Sequence, residues 1–421
     1  MTAARPLPAP SPARPEGVPD TPPWTTHPNE LDLLFACARS DARATAADIR
    51  RLAAADLDWS FVVDESRTQG IDAMVYHHLA RLAPEALPPS VRATLKQRSE
   101  GLLAVNLHRL RVLQQVVAAL DAADVPVLTF KGPLLAQAYY GNLGFRRFVD
   151  VDLLVPRPAL PAAATVLREH GFVPPAPRTA PETARMVEAQ LGLEFVRPDD
   201  EVWIELHWAL LNKTFAFPLA TADVFARAQP HEVGRRRVWG LCDEDLLLYL
   251  CAHGTKHHWA TLRWICDVAQ VCRTGTVDWA VLLQRARALD CDRMLALGLL
   301  LAGRWLDAPV PAAVQERLIG RDATVARLAR HVETRWLFTD AGFDRTPRWA
   351  QLRFFLRARR RWAHRRPLLG EYARLALTPT AKDRAFCPLP PSLSGLYYAV
   401  RPVRLLAEAV RPRTRPTAAG R

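Results

Sequence analysis

Asp150 and Asp152 stand two residues apart in the run Asp150-Val151-Asp152-Leu153-Leu154-Val155. Alternate residues of a strand share a face, so both carboxylates point one way while Val151, Leu153 and Val155 face a core. Two carboxylates side by side repel unless a cation lies between them, and a hard, oxygen-seeking divalent ion such as Mg²⁺ suits that place. Upstream, Phe130-Lys131-Gly132-Pro133 closes a short apolar stretch, 125–130, that reads as a buried strand. Gly132 permits close backbone approach, and Pro133 is preorganised for the first turn of a helix over 134–140. A helix N-terminus beside a bound cation offers free N–H groups to phosphate oxygens. These parts together describe a site for a metal-bound nucleoside triphosphate.

The elements that must position them follow from periodicity. The second strand covers 148–155 and is followed by a helix over 159–170. A hairpin over 193–196 and 202–208, turning at Pro198-Asp199-Asp200, sets Trp203, Glu205 and His207 on one face. Residues 174–184 read as a loop. Helices are expected at 46–52, 58–64, 71–82 and 90–120 before the strands. After them come 245–258, 260–273, 278–289, 292–306, one long helix over 312–338 and an amphipathic one over 349–366. Beyond Pro367 the chain reads as extended, with a short helix at 403–410.

The Gly-containing turn before a helix, with Asp-x-Asp on the next strand, resembles the nucleotidyltransferase superfamily that includes DNA polymerase β. More narrowly, Phe130-Lys131-Gly132-Pro133-Leu134-Leu135-Ala136, the run from Arg146 to Val155 and Glu205-Leu206-His207-Trp208 resemble a bacterial family of uncharacterised nucleotidyltransferases, over about 31–406. The resemblance implies an α+β fold in which a small mixed sheet is flanked by N-terminal and C-terminal helical regions. It implies transfer of a nucleoside monophosphate from an NTP to an acceptor by metal-dependent in-line displacement, with two Mg²⁺ ions held by Asp150 and Asp152. It also implies a third carboxylate on a neighbouring strand, as metal ligand or general base, and Glu205 is the candidate. The wider superfamily carries Gly-Ser at the turn. Here Lys131-Gly132-Pro133 replaces it, so Lys131 is expected to supply charge to the phosphates in place of a hydroxyl.

Further candidates surround this centre. Arg146 and Arg147 lie in a loop with Gly141 and Gly144 and reach for the triphosphate; otherwise they are solvated loop arginines. His207 shares the face of Glu205 and is otherwise a sheet-edge histidine. His253, Lys256 and His257 fall on adjoining turns of one helix and either face the nucleotide or acceptor or form a polar packing edge. The i, i+4 spacing of His253 and His257 would suit zinc, but the glutamate and third ligand of a zinc-protease motif are missing.

Composition bounds the rest. The 421 residues suffice for several domains: a Pro-rich tail (1–28), a helical region (29–122), the nucleotidyltransferase core (123–240), a helical domain (241–342) and a basic helix and tail (343–421). The net charge of +13 suggests nucleic acid until it is located: from Phe343 onward there are 18 Lys/Arg against 4 Asp/Glu. Nucleic acid is therefore a less favoured partner than an NTP with a small molecule, saccharide, peptide or protein as acceptor. Peripheral membrane contact through 349–366 is the alternative use of that charge. Seven cysteines without a Cys-x-x-Cys pair, no membrane-length apolar run and no signal-peptide pattern point to a reduced, cytoplasmic setting. The rival functions are a non-catalytic nucleotide-binding scaffold and a basic RNA- or membrane-associated factor.

Overall fold

The computed structural model describes residues 26–39, 45–176, 179–188, 192–212, 215, 217–320, 322–338, 346–379 and 381–410. The Pro-rich reading of 1–28 thus lies almost wholly outside the described residues, as does the end of the basic tail. Among the described residues the fold is α+β, mostly helical, with two small sheets. One hydrophobic cluster runs from Leu31 through the sheet to Leu368.

The N-terminal region forms α1 (Pro28–Cys37), α2 (Ala46–Ala53), α3 (Trp59–Thr68), α4 (Asp72–Leu82) and α5 (Pro89–Ala122). Asp58 starts α3 by accepting the N–H groups of Ser60 and Phe61, which no earlier carbonyl can reach. Along α5, Leu102, Leu110, Leu113, Val116, Val117 and Leu120 are buried at helical spacing. Val105 fits the same stripe in the sequence but is exposed. Asn106, one position on, takes the inward place and is fully buried.

The main sheet contains β1 (Leu128–Thr129), β2 (Asp150–Leu154), β3 (Leu193–Arg197) and β4 (Val202–His207) in the order β1-β2-β4-β3. β2 and β4 run parallel; β1 with β2 and β3 with β4 run antiparallel. Helices α6 (Leu160–Glu169) and α7 (Ala180–Glu188) lie in the crossover from β2. The expected loop at 174–184 therefore becomes helical from Ala180. The strand expected over 125–130 shortens to two residues, which pair with Leu153 and Leu154. Val151, Leu153, Phe195, Ile204 and Leu206 are buried on the core face. After α8 (Thr221–Ala226) comes a hairpin absent from the sequence reading, β5 (Gln229–Val233) and β6 (Arg236–Gly240). Its turn is set by Gly234 at φ +67°.

The C-terminal half is α9 (Asp243–Lys256), α10 (Leu262–Thr274), α11 (Trp279–Ala288), α12 (Asp292–Leu306), α13 (Ala323–Arg335), α14 (Arg348–Ala358), α15 (Trp362–Leu377), α16 (Ala381–Phe386) and α17 (Tyr397–Val410). Two expected long helices are broken. Over 312–338 the chain makes a short turn, Ala312–Val314, widens into a π-helix, Gln315–Gly320, and restarts at α13. The restart is capped by Asp322, which accepts the Thr324 N–H at 3.0 Å. Over 349–366 the chain is extended at Arg359 (φ −112°, ψ 142°). The fully buried Arg359 guanidinium donates to the carbonyls of Phe215 (2.7 Å) and Asp290 (3.2 Å). Asp290 in turn accepts the N–H groups of Arg360 (3.1 Å) and Arg361 (3.0 Å). Fixed partners for freed backbone groups make the break favourable. Past Pro367 the chain is helical rather than extended, and buried Asp383 ties α16 to Arg401 (2.9 Å) and Arg404 (2.6 Å) of α17. Part of the basic tail is thus internal structure, not a solvated face.

Candidate functional site

β2 and β4 are in register with Asp152 opposite Glu205 and Asp150 opposite Trp203. Asp150, Asp152 and Glu205 therefore meet on one face of the sheet, beside the turn that leaves β1. At that turn Gly132 has φ +50°, and a Cβ there would sit 3.4 Å from the Asp150 carbonyl oxygen. A side chain at 132 would be strained by that positive φ, with the Asp150 oxygen at van der Waals contact. From Gly132 a helical turn (Gly132–Leu134) leads into a π-helix (Leu135–Tyr139).

A cleft of about 320 Å³ opens over this face. Lys131, Gly132, Arg146, Arg147, Asp150, Asp152, Glu205, His207, His253, Lys256 and His257 all line it. Their detailed placement differs from the sequence expectation in several respects. Lys131 turns back onto the carboxylates, its Nζ 2.6 Å from Asp152 Oδ1. Arg146 is buried and bidentate to Asp267 of α10 (2.8 and 2.9 Å), which also accepts from Tyr140 at 2.8 Å. Arg147 pairs with Asp72 of α4 at 3.0 Å. These two arginines are rigid walls held from the flanking helices, not free loop arms. α5 fixes the same loop: Asn106 donates to the carbonyls of Leu143 (2.8 Å) and Arg146 (3.0 Å), and Arg109 to that of Phe148 (2.6 Å).

The electrostatics are strongly coupled. Burial alone would lower the Lys131 ammonium, but the charge of Asp152 carries it well above the lysine range. Burial would raise Asp152, yet Lys131 and then His207 hold it far below the usual carboxylate range. His207 Nε2 lies 3.1 Å from Asp152 Oδ1 and 3.4 Å from Glu205 Oε2. Burial opposes protonation of His207, and hydrogen bonds to these two carboxylates outweigh it, pushing the ring up to about 9. Asp150 is raised by burial and then by the like charge of Asp152. Across the cleft α9 contributes Tyr249, His253 and Lys256, with His257 just after it. Burial and then Lys131 lower His253 and Lys256, and burial with Lys256 brings His257 down to about 3.

The sequence reading missed Tyr249, Arg263 and Trp264, which also line the cleft. Tyr249 precedes His253 by one helical repeat, and its hydroxyl lies 3.3 Å from His253 Nδ1. That i−4 spacing was the available signal. No comparable signal marked Arg263, which arrives on a separate helix.

Among the described residues, Asp152, Glu205 and His207 bring ligand atoms within 4.8 Å of one another. Asp150 shares their strand face without belonging to that group; with Asp152 and Glu205 it would complete an all-oxygen set of the kind that suits Mg²⁺. Like charges crowd on that set, since both Asp152 and Glu205 push Asp150 up, and a divalent ion would relieve the crowding. The residues fit such an ion. His207, whose ring is pushed up to about 9, would have to release its Nε2 proton before it could join the set.

The small mixed sheet thus carries two acidic residues on one strand and a third on its parallel neighbour, with a glycine turn beside them. The family model described as "Uncharacterised nucleotidyltransferase" matches residues 55–307, and the chain belongs to that family. Comparison with curated proteins returns no significant match. Among solved structures, the solution structure of the antibiotic-resistance factor ANT(2'')-Ia is similar at 14% identity over 44% of this chain and 93% of that one, with a TM-score of 0.32. Among the described residues, no helix is long and apolar enough to cross a membrane.

Proposed function

We propose that the protein transfers a nucleoside monophosphate from an NTP to an acceptor hydroxyl or phosphate and releases pyrophosphate. The observation that carries this reading is the in-register meeting of Asp150, Asp152 and Glu205 opposite a wall containing Lys256 and Arg263. The acceptor oxygen attacks the α-phosphorus, its bond forms as the bond to the β-phosphate oxygen breaks, and pyrophosphate departs with that electron pair. The acceptor proton passes to Glu205, which His207 orients. Asp150, Asp152 and Glu205 would hold Mg²⁺, and such an ion, or a pair of them, stabilises charge building on the phosphoryl oxygens. Lys256 and Arg263 bind the triphosphate, while Gly132 lets it approach the backbone.

The test is incubation with each α-phosphate-labelled NTP, Mg²⁺ and cell extract. A labelled acceptor that disappears with Asp150→Asn supports the reading; no labelled acceptor with any NTP overturns it. A second reading, a nucleotide-binding scaffold, is favoured by one observation: Lys131 and His207 already compensate Asp152 without a metal.

A further inference from the structure

The C-terminal helices carry a surface that the cleft does not use. We propose that α14, α15, α16 and α17 dock on a membrane leaflet containing anionic phospholipid and lie along it without crossing. This stands apart from the nucleotidyl-transfer reading, since the residues it uses lie outside the lining of the cleft.

Composition sets the sign. Residues 343–421 hold 18 Lys/Arg against 4 Asp/Glu, so the segment is positive whichever of its side chains turn outward. The structure then sorts these charges. Asp383 is buried between Arg401 and Arg404, and Glu371 pairs with Arg374. Among the described residues of 346–410, every charged side chain that stands exposed is an arginine, Arg353, Arg357, Arg366 and Arg384 among them.

Apolar side chains stand between them. Large hydrophobic residues are exposed at sixteen described positions, and nine of these fall between Trp349 and Leu405, so the exposure is concentrated on this segment. Trp349 is 63% and Trp362 62% exposed. On α14 the exposed Trp349, Arg353 and Arg357 follow at four-residue intervals, with Phe354, Phe355 and Ala358 buried on the other side. The Arg353 guanidinium lies over the Trp349 ring, 5.4 Å from its centre. On α15 the exposed Trp362, Arg366, Ala373 and Leu377 recur at spacings that keep one face outward, while Leu368 is buried. Exposed Phe386, Leu396 and Val403 come from α16, the turn Pro391–Leu396 and α17. α14 packs on α15, α15 on α17, and α17 on α16, so these outward faces belong to one region of the surface.

Charge and side-chain type together choose the occupant. A second copy of this face would set arginine against arginine. A nucleic acid would satisfy the arginines and stack on the indoles, but it gives Leu377, Leu396 and Val403 nothing to bury against. An anionic leaflet serves all three kinds of side chain. Its headgroups pair with guanidinium, its acyl boundary takes leucine and valine, and Trp and Tyr settle at the level between. Among the described residues no helix is long and apolar enough to cross a membrane, which leaves these helices in the interface plane.

The experiment floats the full chain on a density gradient with vesicles of phosphatidylcholine alone or of phosphatidylcholine and phosphatidylglycerol in equal parts. The wild type should float with the mixed vesicles only, and high salt should weaken that binding. Arg353→Gln, Arg357→Gln and Arg366→Gln combined should weaken it about a hundredfold, and Trp349→Gln with Trp362→Gln about tenfold. Thermal stability should hold in both, because all five side chains are exposed. No flotation, flotation that does not depend on phosphatidylglycerol, or flotation that both sets of variants leave intact overturns the proposal. Two further results do the same. Retention of single-stranded RNA in place of vesicles, lost with the arginines, makes this a nucleic-acid surface. A dimer in sedimentation that the tryptophan variant splits, without flotation, makes it a contact between copies.

Discussion

Replacing Lys131 by Met removes one charge at nearly constant volume from a buried ion pair of the site. The Lys131 and Asp152 side chains are 15% and 2% exposed, and their 2.6 Å contact is the shortest of those Asp152 makes to Lys131 and His207. Breaking a buried pair by removing one partner costs about 3–5 kcal/mol, because the surviving charge stays desolvated. His207 remains at 3.1 Å and retains one charged hydrogen bond, so the lower end, about 3 kcal/mol, is expected here. At about 2–4 °C per kcal/mol, a scale set by domains smaller than this chain, Tm in metal-free buffer should fall by about 5 °C or more. Millimolar Mg²⁺ should recover much of that loss in Lys131→Met, since the ion can take the oxygen Lys131 leaves, and should move the wild type less. Mg-NTP affinity is expected to fall by about ten- to a hundredfold, because a charge-assisted contact is worth about 1.5–3 kcal/mol. Thermal unfolding with and without Mg²⁺ and equilibrium dialysis check all three. A variant with unchanged metal-free Tm and unchanged Mg-NTP affinity would refute the argument that Lys131 is the internal counter-ion of the acidic group.

Asp150→Asn should leave metal-free Tm unchanged or slightly raised, because it relieves repulsion from Asp152, while transfer falls by about a thousandfold. Asp152→Asn should lower Tm as well as transfer, since it strands buried Lys131, and equal melting of the two variants would contradict that distinction. Gly192→Ala should displace the Glu205 side chain and slow transfer about tenfold with little change in Tm, which steady-state kinetics beside a melting curve would reveal. Burial holds His258 down to about 3 and His331 down to about 4 in the folded chain. The unfolded chain takes up these protons first, near pH 6.5, so their contribution is intact above that pH and is lost as pH falls towards 4. Each adds a slope of at most about 1.4 kcal/mol per pH unit. His331→Gln should therefore flatten the fall in Tm between pH 6.5 and 4.5, and an unchanged acid slope would count against it.

What the sequence disclosed depended on how far each signal had to travel. Asp150 and Asp152 were legible because strand alternation fixes both their shared face and the buried Val151 and Leu153 between and beside them. Glu205 followed from its hairpin partner strand and the family resemblance, but its register opposite Asp152 depends on a parallel pairing that no local pattern encodes. Lys131 was assigned to phosphate by proximity to the turn; a backbone position does not say which way a long side chain bends. Arg146 and Arg147 were legible as residues near the site, whereas Asp267 and Asp72, which immobilise them, lie more than a hundred and about seventy positions away. Asn106 was hidden for the same reason, since its partners Leu143 and Arg146 lie far along the chain. The break at Arg359 was illegible because a helical pattern continued through it, and only the distant carbonyls of Phe215 and Asp290 reward the extended conformation there.

On the proposed nucleotidyl-transfer reading, Lys131-Gly132 in place of the Gly-Ser that the superfamily resemblance implies changes how the cleft would meet a nucleotide. A serine hydroxyl at that turn would face phosphate and leave Asp152 to find its counter-charge elsewhere. Lys131 instead binds Asp152, which leaves the acidic group compensated by Lys131 and His207 before any nucleotide arrives. The cost appears on the opposite wall. Burial and then Lys131 depress Lys256, and burial with Arg146 depresses Arg263, so these cations crowd one another around an open space. A polyanion entering that space relieves the crowding, and its charge then reaches Lys131 as well. On the proposed reading Lys131 would then be drawn between Asp152 and the phosphates, loosening its hold on the carboxylate as a divalent ion would need. On this view the metal and the triphosphate bind cooperatively, each removing what opposes the other. Mg²⁺ alone should consequently bind the wild type weakly, and Lys131→Met should lose that coupling even where it retains measurable affinity for each component.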